Sequence, residues 1–196
     1  MTADLDRRKA SSKAWFETLQ DQLIAAFERL EDEAGPPYRG MAPGRFEKKP
    51  WRRGKEGEDL GGGGDLNPMM DRYRRDDHPD TVDFHAAMRY ACDRHHPDWH
   101  AKYKKWCDEY FWLPHRNEPR GVGGIFYDRH DSGDWEKDFT FTQDVGRAFL
   151  DIFPKLVARR MNDPWSEDDR EEQLFRRGRY AEYNLLYDRG TTFGLK

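Results

Sequence analysis

A short list of residues in this sequence carries chemistry. Asp65 ends a glycine run, Gly61-Gly62-Gly63-Gly64-Asp65, where absent side chains let the backbone approach a ligand closely. A plain turn aspartate is the competing reading. Arg116 and Arg120 flank Asn117 and Glu118 ahead of a short apolar run, and their guanidinium forks suit carboxylates. A solvated charged loop explains them equally well. Asp188-Arg189-Gly190 turns the chain after a tyrosine-rich segment, as either a site or a salt-bridged turn. His85 and His115 are imidazole ligands in principle, but nothing nearby has metal-ligand spacing. His96 and His100 are four apart, but Pro97 disturbs the helix that would align them, which makes them surface residues. Cys92 and Cys107 read as buried thiols. Arg176, Arg177 and Arg179 form a small basic cluster. The acidic overall balance and the lack of a binding motif argue against a nucleic-acid patch.

These residues need elements to position them. Trp15, Phe16, Leu19, Leu23, Phe27 and Leu30 recur at helical spacing, which predicts a helix from Ser12 to Glu33, stopped by Gly35-Pro36-Pro37. Tyr38 to Met70 reads as loop or linker. Asp80 or Thr81 caps a helix reaching about Arg94, with Phe84, Met88 and Ala91 inward. A second helix carries Trp99, Tyr103, Trp106 and Tyr110 as a core stripe. Gly121–Asp128 reads as a buried strand. Trp135–Arg160 reads as a long helix kinked or interrupted at Pro154, with Phe139, Val145, Phe149, Phe153 and Leu156 inward. Ser166 with Asp169 forms a capping-box signal. Tyr180–Tyr187 alternates, which predicts a strand with two faces.

The chain has 196 residues, 37% of them charged, with a net charge of -4. That balance points to no nucleic-acid partner. No apolar run reaches the ~18 residues of a membrane span, and no signal-peptide core leads the chain. The expectation is a cytoplasmic protein without a membrane partner. Leu, Ile, Val and Phe make up about 16% of the residues, under the ~20% of ordinary globular chains. Aromatics at 14% argue for a folded core nonetheless. Strand-forming residues are the scarce ingredient, and two strands alone do not make a stable sheet.

KKWCDEYFWLPHRNEPRGVGGIFYD from Lys104, RRGRYAEYNLLYDRGTTFGLK from Arg176, DTVDFHAAMRYACD from Asp80 and DVGRAFLD from Asp144 are the runs that resemble a known family, the oxygen-dependent coproporphyrinogen oxidases. GGGGDLNP from Gly61 resembles the family's GGGxDLTP, and GRFEKKPW from Gly44 fits as well. Family members carry a strand-rich segment with a VPTVHMNxR stretch between the tryptophan equivalent to Trp51 and the glycine run. They also continue past the equivalent of Lys196. The expectation is therefore a single family-like domain over 1–196, incomplete, with an internal deletion near 52–60.

The resemblance implies an α+β fold with a broad antiparallel sheet flanked by helices. It implies oxidative decarboxylation of coproporphyrinogen III to protoporphyrinogen IX, with dioxygen as co-substrate and no required cofactor. Asp65, Asp188 and Arg189 would then be catalytic, and Arg116, Arg120 and Arg179 would receive propionates. His85 and His115 match histidines with a proposed divalent-metal role, against which stands the reading of two hydrogen-bonded structural histidines. A homodimer is implied, with Tyr180–Lys196 near its contact. The alternative is a catalytically impaired, tetrapyrrole-binding or dimerising remnant.

Overall fold

A computed structural model describes residues 2–35, 40–49 and 62–194. The expected deletion near 52–60 lies outside the described residues. In chain order the elements are α1 (Thr2–Glu33), β1 (Gly62–Leu66), α2 (Pro79–Asp93), α3 (Trp99–Tyr110), β2 (Trp112–Leu113), β3 (Glu118–Pro119), β4 (Gly123–Tyr127), α4 (Trp135–Arg160), α5 (Glu167–Leu186) and α6 (Arg189–Gly194). A single 3-10 turn covers Asp71–Tyr73. The class is α+β, helix-rich with small antiparallel sheets. No helix among the described residues is long and apolar enough to cross a membrane.

The chain forms two compact units. The first joins α1, the 40–49 segment and α4. Phe27 of α1 meets Phe153 of α4 edge-on at 5.9 Å, and Phe153 stacks on Phe149 at 4.9 Å. Gly146 in α4 leaves the space that Leu19 of α1 fills, since a β-carbon there would lie 2.8 Å from a Leu19 methyl. The 40–49 segment follows α1 through Arg45–Asp32 at 2.5 Å, Gly44 N–H to Glu31 at 2.9 Å and Phe46 N–H to Glu28 at 3.0 Å. Pro154 does not interrupt α4, which runs through it to Arg160. The inward face of α4 holds Phe141, Val145, Ile152 and Leu156.

The second unit holds α2, α3, both sheets, α5 and α6. Helix α2 buries Phe84, Met88 and Ala91, as its spacing predicts. Full burial of side chains the size of Phe84 or Met88 contributes roughly 1.5–3 kcal/mol each. Its cap differs from the expectation: His78 accepts the Asp80 N–H at 3.2 Å and Pro79 opens the helix. Proline suits that first position because its missing N–H would have no partner there. Strands β1 and β4 pair antiparallel, with Gly64 opposite Ile125 and Asp65 opposite Gly124. Strands β2 and β3 form a second two-stranded sheet. The broad sheet implied by the resemblance is absent among the described residues.

Two expectations are corrected. The glycine run read as loop is strand β1. Glycine is required there, because Gly63 adopts φ +140° and a β-carbon on it would lie 2.2 Å from the Ile125 carbonyl oxygen; on the facing strand, one at Gly124 would lie 1.9 Å from the Gly64 carbonyl oxygen. The second correction is Tyr180–Tyr187, which is the end of helix α5 and not a strand. Tyr183 and Tyr187 satisfy both a two-residue and a helical period. The Ser166–Asp169 capping box has already started the helix, with the Asp169 N–H on the Ser166 hydroxyl at 3.2 Å and the reciprocal bond at 2.8 Å. Leu185 and Leu186, which a strand would have split between faces, are both exposed.

Candidate active site

The residues singled out for chemistry lie in the second unit, and all but His85, the His96–His100 pair, the two cysteines and the Arg176–Arg177 pair fall in three groups. The most buried is centred on Arg120, which follows β3. Its Nη2 donates to Asp65 Oδ2 at 2.7 Å and its Nη1 to Asn184 Oδ1 at 3.2 Å. Its guanidinium carbon lies 3.8 Å from the Phe111 ring centroid, 4.7 Å from Tyr180 and 4.9 Å from Tyr183. Asn67 Nδ2 donates to the same Asp65 oxygen at 2.5 Å. The pair is therefore placed by β1, by the end of β3 and by the inner face of α5. Arg74 braces the same junction, donating to the carbonyls of Pro68 at 3.1 Å, Pro119 at 3.3 Å and Arg120 at 3.2 Å. Burial pushes the Arg74 guanidinium below its ordinary value, and its neighbour Arg176 adds to this.

The second group sits where α3 ends and α6 begins. The Tyr110 hydroxyl donates to Asp188 Oδ1 at 3.1 Å, and the Thr191 N–H donates to Asp188 Oδ2 at 2.6 Å. Burial works to raise the Asp188 carboxyl. The Thr191 and Tyr110 hydrogen bonds and the charge of Arg120 outweigh it, leaving Asp188 below the usual carboxylate range. Arg189 bonds Asp128 at the end of β4 and lies over the Tyr110 ring at 5.0 Å. Asp188 and Arg189, adjacent in sequence, thus share Tyr110 and differ in their other partners, Thr191 for one and Asp128 for the other.

The third group links the β2–β3 turn to α5 through Glu182. Arg116 binds it with two parallel bonds at 2.7 and 2.8 Å, and His115 Nε2–H donates to it at 2.9 Å. Arg179 lies 3.5 Å from Glu182 and 2.7 Å from Glu118. The Arg116 bonds, then that of His115, hold the Glu182 carboxyl down to about 2. Asn117 at φ +53° makes the turn that presents His115 and Arg116.

The two histidines stand apart. His85 Nε2–H donates to the Val122 carbonyl at 3.1 Å, while its Nδ1 is buried without a hydrogen-bond partner. Burial pushes its imidazole below the ordinary histidine value. His115 spends its other nitrogen on the Tyr187 hydroxyl at 2.8 Å. No three of His, Cys, Asp and Glu converge as a ligand set among the described residues. With both His115 nitrogens engaged, this arrangement does not fit a divalent metal. Cys92 and Cys107 are buried, and burial pushes both thiols up to about 12.

Glu182, Asn184 and Asp128 were missed in the sequence, and Tyr110 was read as core only. Reading Tyr180, Tyr183, Asn184 and Tyr187 at helical spacing would have found the α5 face that meets Arg120 and His115. Against this geometry, the family model described as Coproporphyrinogen III oxidase matches residues 45–196. The chain belongs to the coproporphyrinogen III oxidase family. Among its relatives are proteins named oxygen-dependent coproporphyrinogen-III oxidase from Rickettsia bellii (strain OSU 85-389), Rickettsia africae (strain ESF-5) and Rickettsia rickettsii (strain Sheila Smith). They are 56%, 55% and 53% identical to it over 136 residues, which is 69% of this chain and 47% of each of theirs. The chain thus spans about half the length of the curated relatives it matches. The family match takes in all three residue groups, whereas the whole of α1 lies outside it.

Proposed function

We propose that this chain carries the chemistry of an oxygen-dependent coproporphyrinogen III oxidase in porphyrin and haem biosynthesis. The observation that carries this reading is the family match over residues 45–196, which includes every candidate residue from Asp65 to Arg189. Two propionates of coproporphyrinogen III become vinyl groups, giving protoporphyrinogen IX. Each propionate loses carbon dioxide and a hydride equivalent, and dioxygen accepts the two electrons. No organic cofactor is required, and the protein works in the cytoplasm as a homodimer.

The substrate is an apolar macrocycle edged by carboxylates, so its site needs cations, flat apolar walls and an anion near the pyrrole N–H groups. Asp188 is assigned to the pyrrole side. Each of its oxygens keeps a lone pair beyond the bonds from Tyr110 and Thr191. Arg189 is assigned to a propionate, which its exposed guanidinium reaches without leaving Asp128. Asp65 is oriented by Arg120 and Asn67. Arg116 and Arg179 receive a propionate by exchanging Glu182 or Glu118 for it, one carboxylate for another.

A second reading, a tetrapyrrole-binding or dimerising remnant without turnover, is favoured by one observation: Arg116, Arg120 and Arg179 are all paired with carboxylates of the chain itself. The deciding assay adds air to anaerobic protein and coproporphyrinogen III, after circular dichroism has established folding. Carbon dioxide release with a fluorescent porphyrin after oxidation supports the enzyme. Folded protein that binds the tetrapyrrole without oxygen-dependent turnover supports the remnant.

A further inference from the structure

We infer that Tyr110 is the positioning residue of the Asp188–Arg189 pair; the catalytic part of this inference rests on the assignment of that pair to the substrate site. Tyr110 is the last residue of α3, and it is held on every side. Its ring stacks on Phe126 of β4 at 4.5 Å and 14°, with Phe111 edge-on at 5.0 Å and Tyr183 edge-on at 6.0 Å. Its carbonyl accepts the Tyr183 hydroxyl at 2.6 Å. A phenol locked this way has one direction in which to offer its hydroxyl, and that direction is Asp188.

The same side chain meets the pair three times. Its hydroxyl donates to Asp188 Oδ1 at 3.1 Å, accepts the Arg189 backbone N–H at 3.4 Å, and its ring lies beneath the Arg189 guanidinium at 5.0 Å. Thr191 also anchors the carboxylate, through its backbone N–H on Oδ2 and through its side-chain hydroxyl. Tyr110 is therefore the side chain that ties the end of α3 to the start of α6, and it does so without adding a charge. A hydrogen bond to an ionised carboxylate favours the charged form. Other groups bear on Asp188 from the neighbouring elements. Arg120 precedes β4, Arg189 is in α6, and Tyr183 of α5 is pushed far above the ordinary phenol range by burial. The nearby carboxylates Asp65 and Asp128 are each bonded to an arginine.

The test reads Asp188 directly, by carboxylate carbon NMR of the Asp-labelled chain with Asp188→Asn for assignment. Tyr110→Phe removes one bond to the ionised form, so the Asp188 midpoint moves up. Site-specific 3-fluorotyrosine at position 110, a stronger donor of nearly the same shape, moves it down and serves if the phenylalanine variant does not fold. In the turnover assay Tyr110→Phe lowers kcat about tenfold and carries the acid limb upward with the NMR midpoint, KM being little changed. An unmoved midpoint in both Tyr110 variants overturns the inference. A moved midpoint with unchanged turnover leaves the positioning in place and removes Asp188 from the reaction.

Discussion

Arg120 and Arg189 each pair with an aspartate and each lie over a tyrosine ring, yet the side chain of one is 5% exposed and that of the other 65%. Three rings, two carbonyl-type acceptors and a strand junction close over Arg120. Arg189 has one carboxylate and one ring, and the rest of its guanidinium faces water. The same residue types therefore do different work according to what encloses them. A buried pair fixes backbone against backbone, because breaking it strands a charge. An exposed pair adds little to stability and leaves donors for a ligand.

That contrast can be broken from either side. Arg120→Ala should cost the most, about 3–5 kcal/mol in urea unfolding, since it leaves Asp65 uncompensated and opens a void among three rings. Gly124→Ala comes next, at roughly 1–3 kcal/mol, because the new methyl group meets the Gly64 carbonyl and the β1–β4 ladder must separate. Both losses are checked in the same denaturation series. Glu182 sharpens the comparison through pH. Its carboxyl is lowered to about 2 by Arg116 and His115, so its stabilisation is fully present above the unfolded carboxylate range and is lost as pH falls towards 2. Glu182→Gln should flatten that part of the stability–pH profile, measured by chemical unfolding at stepped pH. Arg189→Ala should be the mildest for stability, within about 1 kcal/mol. On the proposed function it should still weaken binding of the propionate-bearing substrate, read by titration of the folded variant.

The sequence disclosed the helices better than the sheets. Helix α2 was legible because Phe84, Met88 and Ala91 mark one face, and α5 declared its start through Ser166 and Asp169. Strand β1 was illegible because a glycine run has no alternating side chains to read, and its identity lies in how closely another backbone approaches. The tyrosines near residue 183 misled because positions shared by two periods cannot choose between them. At the site, Asp65 and Arg120 stood out as isolated charges near glycine, but their mutual bond spans 55 residues and follows only from the β1–β4 register. Glu182 escaped notice and Tyr110 passed for core because each looks like an ordinary helix residue until its partners from distant segments are in place.

The bond between Tyr183 and the Tyr110 carbonyl governs how the molecule comes apart. Tyr110 closes α3, and a closing carbonyl has no partner within its own helix. Here that partner is the hydroxyl of Tyr183 on α5. Fraying of the end of α3 thus means withdrawing a buried side chain from a different helix. The two helix ends should open in one event, with the amides of Phe111 and Tyr187 sharing a single opening free energy in hydrogen exchange.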